Sequence, residues 1–161
     1  KTYLQSRTVY EFNQGKLPNA DPPSGLIMNK GEKFIYSWGA VNCHALNIKT
    51  RFRGRSTGGS YRLSKKINLR HTEHRGKPIP YSEWKRIGKG ELAITNKHLY
   101  FLGYGETRDI KERLSQVISL EPVNDGFIVN INLKTRPAYR FEMNSNDAFM
   151  ASNFLMGAQE I

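Results

Sequence analysis

From Lys30 to Met143 the apolar residues recur with a period of two, in short runs separated by turn-forming residues. That period places successive side chains on opposite faces of a strand, so each run has one face to bury. "EKFIYSWGA" reads as a first strand. In "NIKTRFR", Ile48, Thr50 and Phe52 share one face, while Lys49, Arg51 and Arg53 share the other. "YRLSKKINLR" sets Tyr61, Leu63, Ile67 and Leu69 against Arg62, Lys66 and Arg70, with Lys65 a misfit on the apolar side. "RGKPIP" reads as a turn. "GELAITNKHLYFLG" reads as strand, tight turn at Asn96–Lys97 and strand, with His98 as a turn residue. "RDIKERL", "VISLEP", "GFIVNINL" and "AYRFEM" follow as short strands. The turns among these lie at Asn124–Gly126 and Lys134–Pro137. Strands this short and this evenly punctuated predict an antiparallel, mainly β body.

The two ends depart from that period. "TYLQSRTVYEF" has helical spacing, with Leu4, Thr8 and Phe12 on one side. Pro18, Pro22 and Pro23 then exclude helix and make residues 16–25 an extended connector. Residues 1–30 are therefore expected as a lead-in, and residues 31–161 as the folded domain. At the other end, Asn144 or Ser145 offers an N-cap and Asp147 an acid in the first turn. Ala148, Ala151, Phe154, Leu155 and Ala158 then form one apolar stripe. A single helix from about Asn144 to Gln159 is predicted to cover an open end or face of the β body.

The 161 residues suffice for one domain without disulfides or a structural metal. The lone Cys43 excludes an intrachain disulfide and fits a reducing, cytoplasmic setting. No apolar run reaches the roughly 20 residues needed to span a bilayer. Charge is the strongest functional signal. The chain carries 25 Lys/Arg and 14 Asp/Glu; 13 of those cations and two of those acids (Glu73 and Glu83) lie between Lys49 and Lys89. The remainder, with 12 of each sign, is neutral. An excess concentrated in one quarter of the chain makes a local potential that favours anionic partners.

The segment "GELAITNKHLYFLG" resembles the signature of GRAM-type and bacterial pleckstrin-homology-like domains, at Gly90, Leu92, Ile94, Thr95, Asn96, Leu99, Phe101 and Gly103. "RLSQVISLEPVNDGFIV" is similar to that family's next element. "KGEKFIYSW" and the Gly- and Arg-rich hairpin are similar to its bacterial branch. The resemblance covers about residues 30–160. It implies a pleckstrin-homology-like partly open barrel of two antiparallel sheets with one C-terminal α-helix. It also implies a binding module whose open end holds acidic lipid headgroups, peptides or proteins. The sequence departs from the phosphoinositide pattern of a basic-x-Arg pair, for Arg62 and Ser64 stand there.

The candidate anion-binding residues are Lys49, Arg51, Arg53, Arg55, Arg62, Lys66 and Arg70, which a regular hairpin would project to one face. Seven like charges side by side repel, and a pure folding requirement would not select that. A solvated edge that resists aggregation is the structural alternative. The turn of Ser56, Thr57, Gly58, Gly59 and Ser60 offers free N–H groups and hydroxyls as a candidate anion nest. Trp84, beside Lys85, Arg86 and Lys89, fits either a membrane anchor or a core residue. Trp38 fits the core. Lys134 and Arg136 fall outside the basic segment and are expected to contribute little.

Catalytic signals are absent. His71 and His74 sit three apart in a β pattern and diverge, as do Cys43 and His44. No metal and no cofactor are expected, and Cys43 reads as a buried small residue. The expected function is non-enzymatic docking on an anionic membrane surface, peripherally at its cytoplasmic face. An acidic partner protein is the alternative. Nucleic acid ranks third, because only Phe52 and Tyr61 interleave the basic run, and both lie on its apolar face.

Overall fold

A computed structural model describes residues 2–52, 78–134 and 136–161. The element order is α1 (Thr2–Asn13), β1 (Phe34–Phe52), β2 (Pro78–Thr95), β3 (His98–Gly103), β4 (Ile110–Arg113), a 3-10 turn (Leu114–Gln116), β5 (Val117–Val123), β6 (Gly126–Ile131), β7 (Ala138–Glu142) and α2 (Ser145–Ala158). All strand pairs are antiparallel, in the order β4-β3-β2-β1-β7-β6-β5. Among the described residues β4 and β5 do not pair, so the barrel is partly open. The arrangement is mainly β with a C-terminal helix, as expected.

The two expected sheets are joined into one ladder by β1. The sequence reading divides this stretch into two strands; it is one strand of 19 residues. A bulge at Gly39–Ala40, where Ala40 has φ 55°, shifts the register between Trp38 and Val41. β1 pairs with β2 from Phe34 to Phe52, and beyond the bend residues 42–46 also pair with β7. The inward faces meet in a core of Ile35, Val41, Cys43, Leu92, Ile94, Leu99, Phe101, Phe127, Val129, Tyr139 and Phe141. Trp38 is buried, as expected.

The stripe of α2 closes this core. Ala148, Ala151, Phe154, Leu155 and Ala158 are all buried, and the Asn144 side chain caps the helix by accepting from the Asp147 N–H at 2.9 Å. Against α2 lies α1. Its buried residues are Val9 and Phe12, while Leu4, on the same side as Phe12 by spacing, is largely exposed. Phe12 meets Phe154 edge-on, ring centroids 4.7 Å apart. Gln5 Nε2 donates to Asp147 Oδ1 at 2.7 Å. The two helices therefore run in the same direction.

Pro78–Pro80, read from sequence as part of a turn, belong to β2 and pair with Thr50–Phe52. The reason is local. β3 reaches only Gly90–Ile94 of β2, and β7 only Asn42–Leu46 of β1. Among the described residues the far end of the β1–β2 pair is thus a two-stranded ribbon with edges unshared by the sheet, where a strand tolerates proline.

Candidate functional site

The ribbon ends where the most basic segment begins. Residues 53–77, which hold Arg53, Arg55, Arg62, Lys66, Arg70 and the Ser56–Ser60 turn, lie outside the described residues, as do His71 and His74. Of Arg51 the backbone alone is described, opposite Ile79. Lys49 is opposite Tyr81 and exposed, and its Nζ lies 3.4 Å from Glu83 Oε2. One of the two acids of the basic quarter is therefore spent at the root of the ribbon.

The register sorts the rest of the ribbon into faces. Leu46 is opposite Trp84, and Ile48 opposite Ser82. Trp84 is 40% exposed and Ile48 44%. Trp84 is thus an outward residue, and the core alternative fails. Lys85 is opposite Ala45, so it takes the other face of the ribbon from Trp84. The proposed trio of Trp84, Lys85 and Arg86 is all exposed, yet it does not form one flat patch.

At the root of the ribbon lies an open cavity of about 380 Å³. Four cations line it, Lys85, Arg86, Arg108 and Arg136, against one acid, Glu106. Two glycines bring the β3–β4 loop to this rim. Gly88, at φ 141°, and Gly103 both back onto Thr107. A Cβ at Gly88 would sit 2.5 Å from Thr107 Oγ1, and one at Gly103 2.7 Å from Thr107 Cβ. The loop is pinned further by Gly103 N–H donating to Asp109 Oδ1 at 2.8 Å and by Thr107 N–H donating to Tyr104 O at 3.0 Å. Folding Thr107 onto bare backbone carries its neighbours Glu106 and Arg108 to the cavity. Arg136 arrives from the β6–β7 loop.

Charge counting along the chain missed Arg108 and Arg136, because they are isolated in sequence and converge only through the ladder. The readable signals were Gly88 and Gly103, whose bare backbones allow the approach.

Burial pushes the Cys43 thiol up to about 12, with the Arg108 charge acting weakly the other way. It remains a thiol at neutral pH. His44 turns outward and pairs with Glu142 at 3.1 Å, so Cys43 and His44 diverge as expected. Burial, then the Glu112 carboxylate, raises Tyr139 to about 12; its hydroxyl donates to Glu112 Oε1 at 2.8 Å.

Among the described residues, a cluster of buried titratable groups lies elsewhere, on the outer face of the β2–β3 hairpin. His98 is not a turn residue; it is the first residue of β3 and is buried. Its Nδ1 is 2.9 Å from Glu32 Oε1. Tyr100 Oη donates to the same carboxylate at 2.9 Å, as do the Thr95 hydroxyl and, at 2.8 Å, the Asn29 N–H. Burial works to raise Glu32, but the donors outweigh it and hold the carboxyl at about 2. All of its bonding capacity is used within the fold, so the cluster anchors the connector to the hairpin.

No protein-family model matches the chain, and no curated protein matches it. Among solved structures it is similar to the Vps36 N-terminal PH domain, with 11% identity and a TM-score of 0.48 over 83% of each chain. No helix among the described residues is long and apolar enough to cross a membrane.

Proposed function

We propose that this chain is a non-enzymatic binding module that docks its basic end on anionic lipid headgroups at a membrane surface. The observation that carries the reading is the convergence of Lys85, Arg86, Arg108 and Arg136 on one open cavity at the root of the ribbon. The same ribbon leads into the segment with most of the excess cations. Each cation near an anionic surface contributes about 1 kcal/mol. Three or four together give weak, salt-sensitive association. Trp84 and Ile48, exposed on the ribbon, supply the apolar contact that a headgroup region accepts.

On this reading Lys49, Arg51, Arg53, Arg55, Arg62, Lys66 and Arg70 extend the cavity's charge outward, and the Ser56–Ser60 turn adds N–H donors. Residues 31–161 form the binding unit, of the GRAM-like kind that residues 90–103 resemble, with α1 docked beside it. The module works peripherally, at the cytoplasmic face, and needs no cofactor.

The second reading is an acidic partner protein, favoured by the ribbon's unshared edges, which can accept a strand as well as a charge. Cosedimentation separates the two. The chain should pellet with phosphatidylserine-containing vesicles at low salt, and neither with pure phosphatidylcholine vesicles nor in 1 M salt. Charge reversal at Arg108 and Arg136 should abolish pelleting. Failure to bind anionic vesicles at any salt concentration ends the membrane reading. Pull-down with and without the same reversals then tests the protein reading, and a single-stranded oligonucleotide in parallel tests the third.

A further inference from the structure

A second cavity, of about 470 Å³, lies at the other end of β3 from the basic one. Its volume falls in the range of small-molecule sites, roughly 300–1,000 Å³. The β2–β3 turn supplies Lys97 and the start of β3 supplies His98 to its wall, while the end of β4 supplies Arg113 and the 3-10 turn Ser115. His98 and Arg113 are direct cross-strand partners, and the Leu114 N–H donates to Lys97 O at 2.9 Å, so the two cation-bearing segments are joined across the ladder. The remaining wall is fastened as firmly. Asn96 accepts from the Lys33 N–H at 2.7 Å and donates to Ile161 O at 3.3 Å, while the Gln159 side-chain amide donates to Leu114 O. A site tied at so many points is formed before any ligand arrives.

Its charge is uncompensated. Among the described residues no acid lines the cavity. Among the described residues neither Lys97 nor Arg113 has a carboxylate within 4.0 Å, whereas Arg7, Lys16, Lys49 and Arg140 each do. The nearby Glu32 is fully occupied by its own donors. His98 lines the same wall. Its Nδ1 is committed to Glu32, whose side chain is wholly buried.

We propose that this cavity is a second anion site, which takes the oxyanion group, phosphate or carboxylate, of a small soluble ligand between Lys97 and Arg113. The site is independent of the membrane reading, because it shares no residue with the basic cavity.

The test is an NMR titration of the whole chain with sodium phosphate and, separately, sodium acetate, each against sodium chloride at matched ionic strength. Saturable shifts at His98, Lys97 and Ser115 that chloride does not produce are the expected result. Saturation by phosphate alone identifies a phosphate site, by acetate alone a carboxylate site, and by both a general oxyanion site. Arg113→Gln and Lys97→Gln should each weaken the interaction about tenfold, the loss of one charge-assisted hydrogen bond. Arg108→Gln, in the other cavity, should leave it unchanged. Shifts that match chloride, that never saturate, or that survive both substitutions overturn the proposal. The wild-type comparison of phosphate and acetate with chloride decides it even if a variant fails to fold.

Discussion

Glu32 Oε1 lies 2.9 Å from His98 Nδ1 across 66 residues of sequence, with the Glu32 side chain wholly out of contact with water. This contact joins the connector after α1 to the outer face of the β2–β3 hairpin. It has a pH consequence. The folded carboxyl sits at about 2, below its ordinary 4.5. A depressed acid adds stability above its unfolded pKa and loses it as pH falls through the folded one. The contribution, about 3 kcal/mol by linkage, should be present above pH 4.5 and vanish toward pH 2. Urea melts from pH 7 to pH 2 measure it. Glu32→Gln should be less stable at pH 7 and lose much of the acid-dependent slope. An unchanged slope would assign the acid lability to other carboxylates.

Gly157 faces Phe12, and a Cβ there would stand 2.7 Å from Phe12 Cε1. On an open helix face Gly→Ala gains about 1 kcal/mol. Here Phe12 is already wedged against Phe154, so Gly157→Ala should instead destabilise by about 1–2 kcal/mol. In a Phe12→Ala background the clash is gone, and the same substitution should become neutral or stabilising. A double-mutant cycle by thermal or urea melting reads this change of sign.

Period and punctuation made most of the fold legible. Leu92, Ile94, Leu99 and Phe101 announce their strands, and Asn144 with Asp147 announces α2, because these signals are local. The errors came where tertiary context decides. Pro78 and Pro80 look like turn formers, yet the ribbon accepts them because no third strand calls for the N–H donors they lack. His98 follows a tight turn and reads as part of it, but Glu32, far away in sequence, draws it into a buried cluster. Leu4 shares a helical side with Phe12 by spacing, yet Leu4 is exposed while Val9 and Phe12 are buried, because packing and not spacing decides which side turns in. The site was half legible for the same reason. A run of cations shows in a count, whereas Arg108 and Arg136 join it only after loops from different strands meet.

Gly88 couples the fold to the basic cavity. Its φ of 141° disfavours any side chain, and Thr107 occupies the space a Cβ would need. Gly88→Val should cost stability by about 1–3 kcal/mol through strain and overpacking. It should also displace the loop that carries Arg108. At a temperature where the variant stays folded, its affinity for phosphatidylserine vesicles should fall several-fold, while a Met156→Leu control, exposed on α2 away from the loop, leaves affinity near wild type. Equal affinities in all three proteins would remove Arg108 from the docking surface.

The two tryptophans give the membrane reading its sharpest test. Trp38 is 7% exposed and packs within 5.0 Å of Tyr36, ring centroid to centroid, whereas Trp84 is 40% exposed on the ribbon. Any change in tryptophan emission on adding vesicles should therefore come from Trp84. If the ribbon enters the headgroup region, emission should shift to the blue with anionic vesicles, and acrylamide should quench it less. Trp84→Phe should abolish the shift while leaving the melting temperature nearly unchanged, since an exposed ring contributes little to folding. Trp84→Ala should weaken vesicle binding by up to about 2 kcal/mol, the value of burying one large apolar side chain. Raising salt from about 0.1 M to 1 M shortens the Debye length from about 10 Å to 3 Å and should reverse the shift. Charge reversal of Arg53 and Arg55 should do the same at low salt, because cations bring the ribbon to the surface before Trp84 can enter it. A blue shift that survives both treatments would mean that apolar insertion alone holds the chain. Vesicle binding with no shift at all would place Trp84 outside the contact and leave the cations of the open cavity as the whole attachment.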